Sequence, residues 1–174
     1  MDFITELLKI VLPAGLVLYA MYLTVRTFVS KQFAEKQFDL KAETARTLLP
    51  IRLQAYERMT LFLERISPNN LLLRTNGQAV NVLDFQQLLL AEIREEFNHN
   101  LSQQVYMSHE AWNHIRQAFN QVMTIINAAS QSLPGDAPAV ELSRKVFEII
   151  LQQQIDPTAE ALRYLKDEVQ NNFM

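Results

Sequence analysis

The chain has 174 residues, 49% of them hydrophobic and 20% charged, with a formal net charge of -3. That balance suits one packed domain plus an appendage, and it excludes both a disordered chain and a protein built mainly to grip nucleic acid. Cysteine is absent, which removes disulfide staples, thiolate metal sites and cysteine nucleophiles.

Helix is favoured throughout, because glycine occurs only three times and Leu, Gln, Glu and Ala abound. The first element is the stretch KIVLPAGLVLYAMYLTVR, in which sixteen uncharged residues, Ile10 to Val25, lie between Lys9 and Arg26. As helix this run is about 24 Å long, against roughly 30 Å for a hydrocarbon core. Leu7, Leu8, Phe28 and Val29 lengthen it, and Lys9, Arg26 and Lys31 are expected to flank it with charges in the headgroup layer. A cleaved signal peptide fits poorly: the start Met-Asp-Phe with Glu6 is not basic, and no small-x-small site follows. A core helix apolar on nearly every side would be hard to cover in so small a domain. The expectation is therefore a single transmembrane anchor over 1–29. Arg26, Lys31, Lys36 and Lys41 follow the span and Lys9 alone precedes it. That bias places the N-terminus outside an inner (cell) membrane and the C-terminal domain in the cytoplasm.

Residues 30–49 contain SKQFAEKQFDLKAETART, with Lys31 and Glu35 at i,i+4 and few apolar positions. They are expected to form a solvated helical stalk; no heptad is sustained, so pairing of the stalk is weakly signalled. Pro50 is expected to mark a kink or a restart. From there to residue 174 the spacing predicts a bundle of four or five helices. The first carries Ile51, Ala55, Tyr56, Met59, Phe62, Leu63 and Ile66 inward, and Ser67-Pro68-Asn69-Asn70 ends it or caps a short turn. After the loop Thr75-Asn76-Gly77-Gln78, a helix starting near Asp84 shows Phe85, Leu88, Leu89, Ile93, Phe97, Leu101 and Val105 at helical spacing. Ser108 is the expected N-cap of the next, whose stripe is Trp112, Ile115, Phe119, Val122, Ile126, Ala129 and Leu133. LPGDAP is a loop, 139–153 a short helix, and Asp156-Pro157 the start of a last helix burying Leu162, Leu165 and Val169. The fold class is all-α.

Chemistry is sparse. Glu96-x-x-His99 has the i,i+3 spacing of a carboxylate-bundle metal element, near Glu92 and Glu95, but the element occurs once. Glu110 and His114 do not supply a second copy, and Glu95 and His99 point off the apolar stripe. A solvated face is the plainer reading. No glycine-rich phosphate loop, triad geometry or cofactor motif is present, so no cofactor is expected and the chain reads more as a non-enzyme than an enzyme. Arg52, Arg58, Arg65 and Arg74 could meet anionic headgroups, although Glu57 and Glu64 interrupt them. The amide-rich corner NHNLSQQVYMSHEAWNH offers Asn98, His99, Asn100, Gln103, Gln104 and His109 as a candidate interaction surface; a hydrogen-bonded helix junction is the alternative.

The stretches LLPIRLQAYERMTLFLERISPNNLLLR and EIREEFNHNLSQQVYMSHEAWNHI, with the opening MDFITELLKIVLPAGLVLYAMYLTV, resemble a family of small uncharacterised proteins of Bacteroidota, over nearly the whole chain. The resemblance implies an N-terminal anchor and a helical part, and it carries no activity, cofactor or site residue. The expected function is a membrane-anchored accessory or scaffold protein that presents a helical domain to a protein partner or to itself, with the lipid bilayer as its other partner. Two alternatives stand beside it: a membrane-tethered metal-binding protein or di-metal enzyme using Glu96 and His99, and an anionic-lipid-sensing surface protein.

Overall fold

A computed structural model describes residues 2–173, and the side chains of residues 12–172 apart from 13, 34 and 39–42. Helix α1 runs over Asp2–Ile66 and is followed by α2, Pro68–Thr75, and α3, Val82–Asn100. A 3-10 turn at Leu101–Tyr106 leads to α4, His109–Gln131; α5 is Ala139–Gln153 and α6 Ala159–Phe173. The described residues hold no strand beyond an isolated backbone bridge between Asn81 and Pro138. The fold is all-α, and α2 raises the helix number above the four or five expected.

The chain divides into two compact units, Met1–Leu48 and Leu49–Met174. In the first, the side chains described from Leu12 to Val29 are all exposed, including Leu16, Val17, Leu18, Tyr19, Tyr22 and Phe28. Thr24, Thr27 and Ser30 turn their hydroxyls back onto the carbonyls of Ala20, Leu23 and Thr27. This satisfies them within the helix.

The transmembrane anchor is overturned. Among the described residues, no helix is long and apolar enough to cross a membrane. The uncharged run yields about 24 Å of helix where a bilayer core needs roughly 30 Å, and α1 continues without a break into Lys31, Glu35 and Lys36. The inner-membrane placement, with the N-terminus out and the rest in the cytoplasm, falls with it. Arg26 and Lys31 are exposed helix residues rather than span flanks, and the Lys9 side chain lies outside the described residues.

In the second unit α1 supplies Tyr56, Met59, Phe62, Leu63 and Ile66 to a core shared with Leu71, Phe85, Leu89, Ile93, Ile115, Val122, Ile126, Leu142, Val146 and Leu165, and Ala55 is buried as well. Helix α4 packs on α3, α5 and α6, and α3 also packs on α5. Phe97 gathers the aromatics: Phe119 stacks at 4.5 Å, Trp112 at 5.6 Å, and Phe62 lies tilted at 5.7 Å. Such pairs add about 0.5–1.5 kcal/mol each beyond burial. A polar chain also ties α3 to α4. Gln86 Nε2 donates to Asn127 Oδ1 at 2.8 Å, and Ser130 Oγ donates to Gln86 Oε1 at 2.9 Å.

Helix ends follow their caps. Asn81 accepts from the Asp84 amide at 2.8 Å and so starts α3 at Val82, two residues before the expected Asp84. Ser108 accepts from the Ala111 amide at 3.0 Å, as its position predicts. Asp156 accepts from the amides of Thr158 and Ala159 at 3.0 and 3.1 Å, but Pro157 and Thr158 form a turn and α6 begins at Ala159. Two further expectations change. Pro50 does not restart a helix, because α1 passes through it. The stripe read to Val105 ends with α3, since the 3-10 turn leaves Leu101 and Val105 exposed.

Candidate functional site

Leu53, Tyr56, Glu57, Thr60 and Glu64 fall on one face of α1, and Leu162, Leu165, Lys166, Val169 and Gln170 on one face of α6. Together they line a groove of about 460 Å³. Its floor is closed: Tyr56 is 2% exposed and Leu165 1%, while Leu53, Leu162 and Val169 are half-buried on the walls. A second hollow of about 520 Å³ shares Glu64 and Leu162 with the groove and prolongs it past Pro68, Phe147, Ile150, Pro157 and Thr158. The hollow forms where α5 stops. Gln154 takes a left-handed conformation (φ 51°) and bonds back to the Leu151 carbonyl, after which Asp156 ties the turn into α6. Glu57, Glu64 and Asp156 stand around this apolar channel with Lys166, so its lining carries more negative than positive charge.

Tyr56 joins the groove to a polar corner. Its hydroxyl accepts from the Ser108 amide at 3.5 Å, and Arg52 Nε donates to the Tyr106 carbonyl at 3.2 Å, so α1 holds the end of the 3-10 turn and the cap of α4 that follows it. Burial pushes the Tyr56 phenol above its ordinary 10.0, and a hydrogen bond and the negative charge of Glu168 push it the same way. Glu168 Oε2 is itself buried without a partner. The Tyr164 phenol is also raised, first by desolvation and then by Glu168 and Glu110. Its ring stacks on His114 at 4.3 Å, and His114 Nδ1 lies 3.7 Å from Glu160.

The sequence-derived surface residues are split by burial. Asn98, His99, Gln104 and His109 are exposed and Gln103 half-exposed. Asn100 is 5% exposed and donates from Nδ2 to the Glu96 carbonyl at 2.9 Å, so it closes the end of α3. Glu96 and His99 do share a surface hollow with Arg65, Glu92 and Glu95. Arg65 holds Glu96 at 3.0 Å and Arg74 holds Glu92 at 3.2 Å. Among the described residues no group of three His, Asp or Glu side chains could hold a metal ion. Three of the four arginines considered for headgroups, Arg52, Arg65 and Arg74, thus contact partners in the bundle.

The groove and Glu168 were missed at the sequence level. The signal was present in α6, where Leu162, Leu165 and Val169 form a stripe with Glu168 beside it. What was absent was the knowledge that α1 would leave this stripe half uncovered.

A family model described as a family of unknown function, DUF7935, matches residues 2–172. No curated protein and no solved structure matches the chain.

Proposed function

Because the chain belongs to the DUF7935 family of unknown function, a membership that names no activity, we propose from the geometry that it is a helical protein-interaction module. Its working surface is the channel between α1 and α6. The supporting observation is that two hollows, about 460 and 520 Å³, share Glu64 and Leu162 and have an apolar floor. An amphipathic helix recognises such a channel by laying anchors at i, i+3, i+4 and i+7 into it. Three carboxylates against one lysine favour a partner whose apolar anchors are flanked by Lys or Arg.

A photo-crosslinking residue at Val169, followed by identification of the attached peptide, tests the proposal. Binding of that isolated peptide should then weaken at least tenfold in the Leu53→Glu variant. Attachment only to solvent, or a peptide indifferent to Leu53→Glu, would remove the groove from consideration. The polar corner serves a different end: it holds the 3-10 turn against α1 and so fixes one wall of the channel.

A further inference from the structure

Among the described residues, the stretch Leu12–Val29 carries a dense run of exposed large hydrophobic side chains. Eleven large hydrophobic side chains in it are each 42–67% exposed. Leu16, Val17, Leu18 and Tyr19 are consecutive, and at about 100° per residue four consecutive positions point in every direction around a helix. The surface therefore encircles the helix instead of forming one stripe. With on the order of 100 Å² for each partly exposed side chain it amounts to about 1,000 Å² per chain, which approaches the roughly 800 Å² per partner of a stable interface only when neighbours cover more than one side of the helix.

We infer that this stretch is where copies of the chain associate with one another. An amphipathic helix from a foreign partner would cover one stripe and leave the remainder in water. Copies of the same helix offer each other the same surface, so every contact buries apolar area on both sides, and symmetric closure lets each copy use more than one side. The residues that follow do not oppose such association. The charged residues Lys31, Glu35, Lys36, Asp39, Lys41, Glu43 and Arg46 alternate in sign without exception. Neighbouring copies therefore meet no single-sign field, and a small axial offset brings opposite charges together.

Sedimentation equilibrium of the full chain in detergent-free buffer tests this directly. The expected result is a mass that is a multiple of 20.1 kDa. The double variant Leu18→Glu, Val25→Glu should return the mass to one chain with helix content retained. Leu61→Glu, at a position 55% exposed in the second unit, should leave the assembly intact. Because the chain has no cysteine, a single Val17→Cys substitution adds an independent readout, a covalent dimer formed on mild oxidation. A monomer at all concentrations, or a chain that floats with phosphatidylcholine vesicles as a monomer and gives no Val17→Cys dimer, would overturn the inference. The groove is untouched by these variants, so a failure here leaves the proposed docking function standing.

Discussion

Tyr56 is one residue with two duties, floor of the groove and anchor of the 3-10 turn. Replacing it by Phe keeps the ring and deletes a hydroxyl that meets the Ser108 amide and Glu168. A carboxylate that already has one buried, unpartnered oxygen then loses a partner, so the expected cost is about 1–2 kcal/mol. The same hydroxyl gives a signature in pH. The folded phenol is raised above 10.0, so above pH 10 the unfolded chain releases a proton that the folded chain still holds. Stability from this group is complete below pH 10 and drains away as pH climbs through the folded pKa. Thermal melts should therefore show the gap between the natural chain and Tyr56→Phe narrowing in strong alkali. A gap that widened there would contradict the geometry. Phe62 behaves differently, because it is wholly buried and tilted against Phe97. Phe62→Ala should cost about 3–5 kcal/mol by leaving a cavity in the core beside Phe97, at any pH.

At the scale of elements, the ends of helices carry the testable content. Gln154 closes α5 in the left-handed region, φ 51°, a conformation that a side chain disfavours and glycine adopts freely. Gln154→Gly should raise stability by about 0.5–1 kcal/mol in chemical denaturation, provided the turn is held by its two backbone bonds to Leu151 and Ile150. Asn81→Ala should lower it by about 1 kcal/mol through loss of the cap on Asp84. Caps of the Ser108 kind were legible from sequence, because a short polar side chain before a periodic apolar run has few other uses. The stripes of α4 and α5 were legible for the same reason: Ile115, Val122 and Leu142 recur at helical spacing and end up buried. Where reading failed, a local rule met a longer-range one. Pro50 removes one backbone donor, yet α1 continues across it, so of its two readings, kink or restart, the restart fails. Val105 continued an apolar spacing, but the 3-10 turn rotated it into solvent. Gln154 gave no warning, since glutamine is not the residue that marks a left-handed turn. The groove was hidden for a different reason. A stripe shows which face of α6 is apolar, and only the neighbouring helix decides how much of that face is covered.

For the whole molecule the question is how far the two units depend on each other for stability. Every described hydrophobic side chain that is buried has a number of 55 or higher. Deleting residues 1–48 thus removes no residue of the described core. Hydrophobic burial is the chief favourable contribution to folding and scales with area, so a chain of 49–174 should keep nearly all of its stability. Its melting temperature should lie within about 3 °C of the full chain measured as a monomer, corresponding to less than about 1 kcal/mol. Self-association would break that equality in one direction only. Assembly stabilises whatever folded form it binds, by mass action, so the full chain should melt higher as its concentration rises while the 49–174 fragment stays constant. Differential scanning at several concentrations separates the two contributions. If the fragment failed to fold, the first unit would have to supply core contacts beyond those described. If both chains melted at one temperature irrespective of concentration, the exposed apolar helix would not be bringing copies together. The groove should respond to neither change. A peptide that binds the full chain through Leu53 and Val169 should bind the fragment with the same affinity, because α6 and the part of α1 from Leu49 to Ile66 remain whole in it.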